Sequence, residues 1–305
     1  MYARLTATAI FWGGTFVAGR YAVREAPPFS TAAVRFAIAA AVLFLLLARE
    51  ARGTSGPGTF PVPRTGAEWL GLVSLGFFGV FLYNAVFFTA LGWTTASNGS
   101  LIVAINPALT AALSAAWLKE KVRPLQAAGL LVSFVGVAVV VTKGSWEAVR
   151  RLSFNRGDVL MLVAPVAWAL YSIRGKQVLD RFSFSPLAAT AYAALFGATM
   201  LAPAAVAERL ATGREAAFSI AGWVAVLHLA LLGTVVGFVW WYEGVKALGA
   251  ARAAVFVNLV PFFGVLLAAL FLGERLTGAE AAGGVLIVGG VSLATGLAAR
   301  RGAKD

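Results

Sequence analysis

Charged positions are spaced along this chain at membrane-helix intervals. From Trp69 to Leu118 there are 50 residues without one charge. A single helix of that length would run about 75 Å, against a hydrocarbon core of about 30 Å. The stretch therefore predicts two helices, with Gly92-Trp93-Thr94-Thr95 as the turn between them. Similar apolar runs, bounded by charges and turn formers, predict helices near 4–24, 29–48, 67–91, 96–118, 124–142, 157–179, 184–206, 217–246, 250–272 and 279–298. The expected fold is an all-α integral membrane protein with ten transmembrane helices.

Composition agrees. Of 305 residues, 60% are hydrophobic and 12% charged, where soluble domains carry about 25% charge. So little polar surface excludes an ordinary soluble enzyme and a disordered chain. Ten spans of about 20 residues leave only tails and short loops, with no room for a large soluble domain. The net charge of +12 would suggest nucleic acid in a soluble protein. Here it reads as loop Lys and Arg facing an anionic cytoplasmic leaflet, so no nucleic-acid partner is expected. With both termini cytoplasmic, the inside segments hold fifteen Lys and Arg against nine outside, although Lys143, Arg150, Arg151 and Arg156 oppose that bias. Both termini are read as cytoplasmic.

The absence of cysteine and the single histidine, His228, argue against thiol chemistry and a histidine metal site. Neither a metal nor another cofactor is expected. There is no HExxH. Gly175-Lys176 is followed by Gln177 and lacks the earlier glycine of a phosphate-binding loop, which argues against direct ATP use. A membrane-embedded enzyme or a non-transporting membrane protein remains a remote alternative.

The chain also repeats itself. Trp12, Gly19 and Arg20 recur 156 residues later as Trp168, Gly175 and Lys176. Ala90-Leu91-Gly92 recurs at 157 as Ala247-Leu248-Gly249, and Pro107, Glu120 and Gly129 recur at 154 as Pro261, Glu274 and Gly283. The expected division is a first five-helix repeat over 1–143, a loop over 144–156, and a second repeat over 157–305 ending in a short basic tail. Five spans per repeat is odd, so the second must cross in the opposite sense. Inverted repeats of this kind are common in secondary transporters, with substrate bound near the midplane between the halves.

Matched interruptions point to that region. Asn106-Pro107 lies within the fourth helix, and Asn258 and Pro261 lie within its mate, the ninth. Proline frees a carbonyl that must face protein or a water-filled cavity; a packed kink without ligand contact is the alternative. Trp12, Thr15, Phe16 and Gly19 share one helical face, as do Trp168, Tyr171, Ser172 and Gly175. The third helix adds Tyr83, Asn84 and Phe87, and the eighth adds Phe238, Trp240, Trp241 and Tyr242. Buried amides are costly in lipid unless paired, so Asn84, Asn98, Asn106 and Asn258 are expected to face inward. Rings and amides together suit a small zwitterion with an apolar side chain. Simple packing is the alternative for Trp12 and Trp168.

Charges within spans are few. Arg20 and Lys176 either snorkel to the interface or bind a carboxylate. Arg35 either marks the outer mouth of a cavity or reaches headgroups. Glu243 either pairs with Lys246, at i, i+3, or carries a coupling proton. Trp69, Trp93, Trp117 and Trp223 read as interface anchors, His228 as a packing residue, and Gly233 with Gly237 as a close helix contact.

The Glu120-Lys121 and Glu274-Arg275 corners each precede a final helix bearing glycines, Gly129 and Gly136 or Gly283 and Gly290. With Phe11-Trp12-Gly13-Gly14 and Arg35-Phe36, they make the chain resemble the drug/metabolite transporter superfamily, EamA type, over nearly its whole length. Within that group it is most similar to the YddG-type aromatic amino-acid exporters. The resemblance implies a protein of ten helices in the bacterial inner membrane; a monomer in contact with lipid is expected. It would export amino acids or related metabolites by alternating access, with helices 1, 3, 4, 6, 8 and 9 around a cavity and 5 and 10 peripheral. Efflux of drugs or other amphipathic solutes is the alternative.

Overall fold

A computed structural model describes residues 1–53, 60–91, 93, 99, 102–150, 155–272 and 276–296. Among these the chain is helical, with no strand. The long elements are α1 (Tyr2–Glu25), α2 (Pro28–Gly53), α3 (Gly66–Leu75 continued through Gly76–Leu82 and Tyr83–Leu91), α4 (Asn106–Trp117) and α5 (Pro124–Thr142). After a short helix at Trp146–Arg150 come α6 (Arg156–Arg181), α7 (Pro186–Thr212), α8 (Ile220–Leu248), α9 (Ala250–Ala254, then Val255–Asn258 and Leu259–Leu272) and α10 (Gly278–Thr295). Eight of them, α2, α3 and α5–α10, are long and apolar enough to cross a bilayer. The protein is therefore read as an integral membrane protein. The expected Gly92–Thr95 turn lies outside the described residues except for Trp93, as do Asn98 and the Glu274-Arg275 corner.

Local sequence explains where helices begin. Thr65 and Glu68, and Thr277 and Glu280, form reciprocal capping boxes at the starts of α3 and α10. Asn155 and Asp158 do the same at α6, and the Ser185 hydroxyl accepts the Ala188 N–H at α7. Both interrupted helices break just before their prolines. A turn at Ala104-Ile105 precedes Asn106-Pro107, and a 3₁₀ turn at Val255–Asn258 precedes Pro261. Proline there opens a new helical segment, where its missing N–H costs least.

Two stretches widen into π-helix, Gly76–Leu82 in α3 and His228–Val236 in α8. Gly76 and Gly233 in these stretches stand 157 residues apart, the offset of the Ala90–Ala247 match. Wider turns of this kind are rare and recur at functional sites.

Packing follows a regular scheme. α5 lies on α10, and α2 on α7. α1 packs on α8 and α9, and α6 on α3 and α4. The α5–α10 contact is antiparallel and backbone-close. A Cβ on Gly129 would fall 2.5 Å from the Gly290 carbonyl, and one on Gly136 would fall 2.7 Å from the Gly283 carbonyl. Lipid gives helices no hydrophobic drive to associate, so such small-residue contact is what holds them.

Carboxylates staple helix ends that are remote in sequence. Glu25 accepts the Ser219 N–H and hydroxyl at the start of α8. Glu208 accepts the Phe29 and Ser30 N–H groups at the start of α2. Glu120, after α4, accepts the Ala250 and Ala251 N–H groups at the start of α9, both at 3.0 Å. Each satisfies orphan donors and sits at the positive end of a helix. Gly249 has φ +86° and passes so close that a Cβ would fall 2.8 Å from Glu120 Oε1. Glycine is required there on both counts.

Candidate functional site

Helices α1, α3, α6 and α8 converge on one aromatic cluster. Trp12 of α1 meets Trp168 of α6 edge to face, with ring centroids 5.2 Å apart and planes at 87°. Both also touch Trp241 and Phe238 of α8, at 5.6 to 5.9 Å. Tyr83 of α3 stands 5.6 Å from Trp168 and stacks on Phe87. Tyr171 lies 5.3 Å from Trp168 and 4.8 Å from Tyr242. Eight of the predicted ring positions (Trp12, Tyr83, Phe87, Trp168, Tyr171, Phe238, Trp241 and Tyr242) thus form one connected set of ring contacts. In this conformation they pack on one another, and Tyr171 and Trp241 are fully buried. Two surface grooves, of about 540 and 490 Å³, lie elsewhere, against α5, α9 and α10 and beside the end of α6.

Backbone specialities build the cluster. Gly237 gives its N–H to the Leu232 and Thr234 carbonyls. The Gly233 carbonyl between them accepts the Trp12 indole N–H at 2.8 Å. The π-helical stretch thus provides an acceptor that pins Trp12 to α8. Gly79 and Gly175 leave room for rings: a Cβ on either would overlap Tyr171 or Tyr242, respectively. The Tyr242 hydroxyl donates to the Tyr171 carbonyl at 3.3 Å, and the Ser172 hydroxyl to the Trp168 carbonyl at 2.9 Å.

Three donors in the cluster, Trp168 Nε1, Trp241 Nε1 and the Tyr171 hydroxyl, are buried without a protein partner. Buried donors are normally satisfied, so each of these is free to meet an acceptor.

The remaining predicted residues divide. Asn84 is buried and touches the site's edge: its Nδ2 donates to the Val80 carbonyl at 2.6 Å and its Oδ1 accepts from Arg35 at 3.3 Å. Asn106 is buried but accepts from Thr110 at 3.1 Å. Asn258 donates to Ser133 of α5 at 2.6 Å. These two amides hydrogen-bond near the breaks in α4 and α9 rather than within the ring cluster. Thr15 turns back to the Trp12 carbonyl, and Phe16 is half-exposed beside Gly264 of α9. Asn98 lies outside the described residues.

The charged candidates also find places. Arg20 is exposed toward the end of α1. Lys176 pairs with Asp180 at 3.0 Å along α6. Glu243 pairs with Arg4 of α1 rather than with Lys246. Its side chain faces α1, where Arg4 also lies over the Trp240 ring, while Lys246 is exposed. His228 Nε2 sits 3.2 Å from the Phe11 carbonyl, tucked against Gly14. Trp69, Trp93, Trp117 and Trp223 are all exposed. Among the described residues no cluster of acidic and histidine side chains has metal-binding geometry.

The sequence profile of the EamA-like transporter family matches the chain twice, over residues 3–142 and 155–296. The protein belongs to that family. It is a multi-pass membrane transporter. It is similar to the uncharacterized transporter YyaM of Bacillus subtilis, with 33% identity over 97% of this chain and 94% of that one. It is 28% identical to a probable amino-acid metabolite efflux pump of Salmonella typhimurium, over 92% of this chain and 90% of the pump. A solved crystal structure superposes with a TM-score of 0.77 at 24% identity, covering 97% of this chain and 96% of the other. That likeness concerns the fold.

Proposed function

We propose that this protein exports small amino-acid-like metabolites across the bacterial inner membrane, by alternating access between two inverted five-helix halves, 1–143 and 157–305. The observation that carries the reading is that Trp12 and Trp168, repeat mates in the sequence, touch each other at the centre. A residue in contact with its own mate lies on the axis relating the halves, and transporters of this construction bind substrate there. The packing scheme supports the same symmetry. Exchanging α1–α5 with α6–α10 turns each contact described above into another: α5–α10 and α2–α7 into themselves, and α1–α8 and α1–α9 into α6–α3 and α6–α4. α1 and the described part of α4 supply the two remaining crossings, which gives ten and puts both termini on one side, the cytoplasmic side by the Lys and Arg bias of the loops. The twofold family match fits this division.

The substrate class rests on the lining and on the relative described as an amino-acid metabolite efflux pump. Rings take an apolar side chain, and the unpartnered indole and phenol donors take acceptors. Specific kinship with YddG-type aromatic exporters stays within this proposal. Efflux of apolar drugs is the second reading, favoured by one observation: Asn106 and Asn258 are engaged away from the rings, so the centre is richer in aromatics than in amides.

Purified protein in proteoliposomes, given a panel of labelled amino acids and amphipathic drugs in counterflow, tests the reading. Saturable exchange of apolar amino acids without ATP is expected. Exchange of drugs alone overturns the substrate class, and exchange of nothing by folded protein overturns transport of these solutes.

A further inference from the structure

Arg35 lies inside a spanning helix with its side chain turned into the protein and no acidic partner among the described residues. It lies seven residues after Pro28, about 10 Å along α2 at 1.5 Å per residue. A cation at that depth is expensive in a bilayer, and by default marks a pathway or a counter-ion. Snorkelling would be the inexpensive escape, yet the side chain turns into the protein. One terminal nitrogen donates to Asn84 Oδ1 at 3.3 Å, and Nε is buried with no partner. Of the five guanidinium N–H donors, one is used, and by a neutral oxygen that leaves the charge uncompensated.

The surroundings are fixed. Asn84 cannot swing away freely, because its Nδ2 is held by the Val80 carbonyl at the end of the π-helical stretch of α3. Neighbouring residues lead straight into the aromatic cluster. Phe36 lies under the guanidinium, 4.4 Å from its carbon, and packs on Phe238 at 6.1 Å. Tyr83, next to Asn84 in the chain, stands 5.6 Å from Trp168. A positively charged fork with free donors therefore borders the rings on one side.

We propose that Arg35, steadied by Asn84, binds the carboxylate of the transported molecule while its apolar side chain lies among Trp12, Trp168 and Trp241. The fork geometry of arginine matches a carboxylate bidentately, and an anion cancels the charge that the protein leaves unpaired. This inference rests on the transport reading above and names its ligand chemistry: a carboxylate, not an amine alone. It also decides against apolar drugs as the principal substrates.

The test compares three labelled probes in proteoliposome counterflow: phenylalanine, phenethylamine, which lacks the carboxylate, and phenylalanine methyl ester, which masks it. Wild type should exchange phenylalanine at least 10-fold better than either analogue. Arg35→Gln should abolish that preference, raising half-saturation for phenylalanine 10-fold or more, and Arg35→Lys should recover part of it. Quenching of tryptophan fluorescence by phenylalanine, measured in detergent on monodisperse protein, reports binding separately from turnover. Arg35→Gln protein that retains the preference for phenylalanine, or that loses all three probes in equal proportion, overturns this inference and leaves transport standing. Wild type that exchanges none of the three overturns both readings.

Discussion

Glu120 allows the sharpest test of whether the two proposed halves rock against each other. Its carboxylate joins the end of α4, in the proposed first half, to the start of α9, in the proposed second, through two hydrogen bonds of 3.0 Å. If the halves rock against each other, this contact holds one end of the protein shut. A hydrogen bond to a charged acceptor contributes about 1.5–3 kcal/mol, and a carboxylate at a helix N-terminus about 0.3–1 kcal/mol. Glu120→Gln keeps one acceptor oxygen and loses the charge. Because Glu120 is half-buried, the lower ends apply, and the expected loss is about 2 kcal/mol, roughly 30-fold in the equilibrium between closed and open. The chain has no cysteine, so single cysteines report cleanly. Ser172→Cys replaces a fully buried residue on α6, close to the tyrosines and near in size. A membrane-impermeant thiol reagent applied from the Glu120 side should label it 10- to 30-fold faster in the Glu120→Gln background. Labelling that is unchanged, with a lower thermal midpoint, would make Glu120 a static cap and refute the gating argument.

Other outcomes follow from the same geometry. Trp12→Phe keeps a ring but strands the Gly233 carbonyl, at a cost of about 1–3 kcal/mol; the thermal midpoint should fall by several degrees with the protein still inserted. Gly175→Ala drives a methyl into the Tyr242 ring. It should destabilise by about 1–3 kcal/mol and release the Tyr242 hydroxyl from the Tyr171 carbonyl, seen as a shift in tyrosine fluorescence. Gly136→Leu forces α5 from α10 and should sharply lower the yield of monodisperse protein, whereas Leu131→Ala, on the exposed face of α5, should not. Single cysteines at Lys121 and Thr277 should label from opposite sides of the membrane, and labelling from one side would end the inverted-repeat account.

The spans were legible because water and lipid sort residues by charge. Trp69–Leu118 and its counterparts announce helices by what they lack, and the starts and ends of α3, α5 and α8 fall within about three residues of expectation. The aromatic centre was legible from helical spacing on α1 and α6 plus the repeat offset. The π-helical stretches were not, since no residue pattern distinguishes a five-residue closure from a four-residue one; the glycine pair Gly76 and Gly233 was the only trace. Contacts that cross the fold were also hidden. Glu120 with Ala250, Glu25 with Ser219 and Arg4 with Glu243 are each separated by at least 130 residues. The nearer Lys246 looked like the partner of Glu243 only because sequence shows neighbours on one helix and no others. Asn106 and Asn258 were rightly placed as buried, but burial alone does not say against what, and their partners proved to be Thr110 and Ser133.

The central claim is that substrate passes where Trp12 meets Trp168. The most direct measurement is phenylalanine counterflow in proteoliposomes carrying matched amounts of folded wild type, Trp12→Ala and Trp168→Ala. The account predicts that each substitution lowers exchange at least 10-fold while insertion and monodispersity are retained. Undiminished exchange in both variants would contradict it.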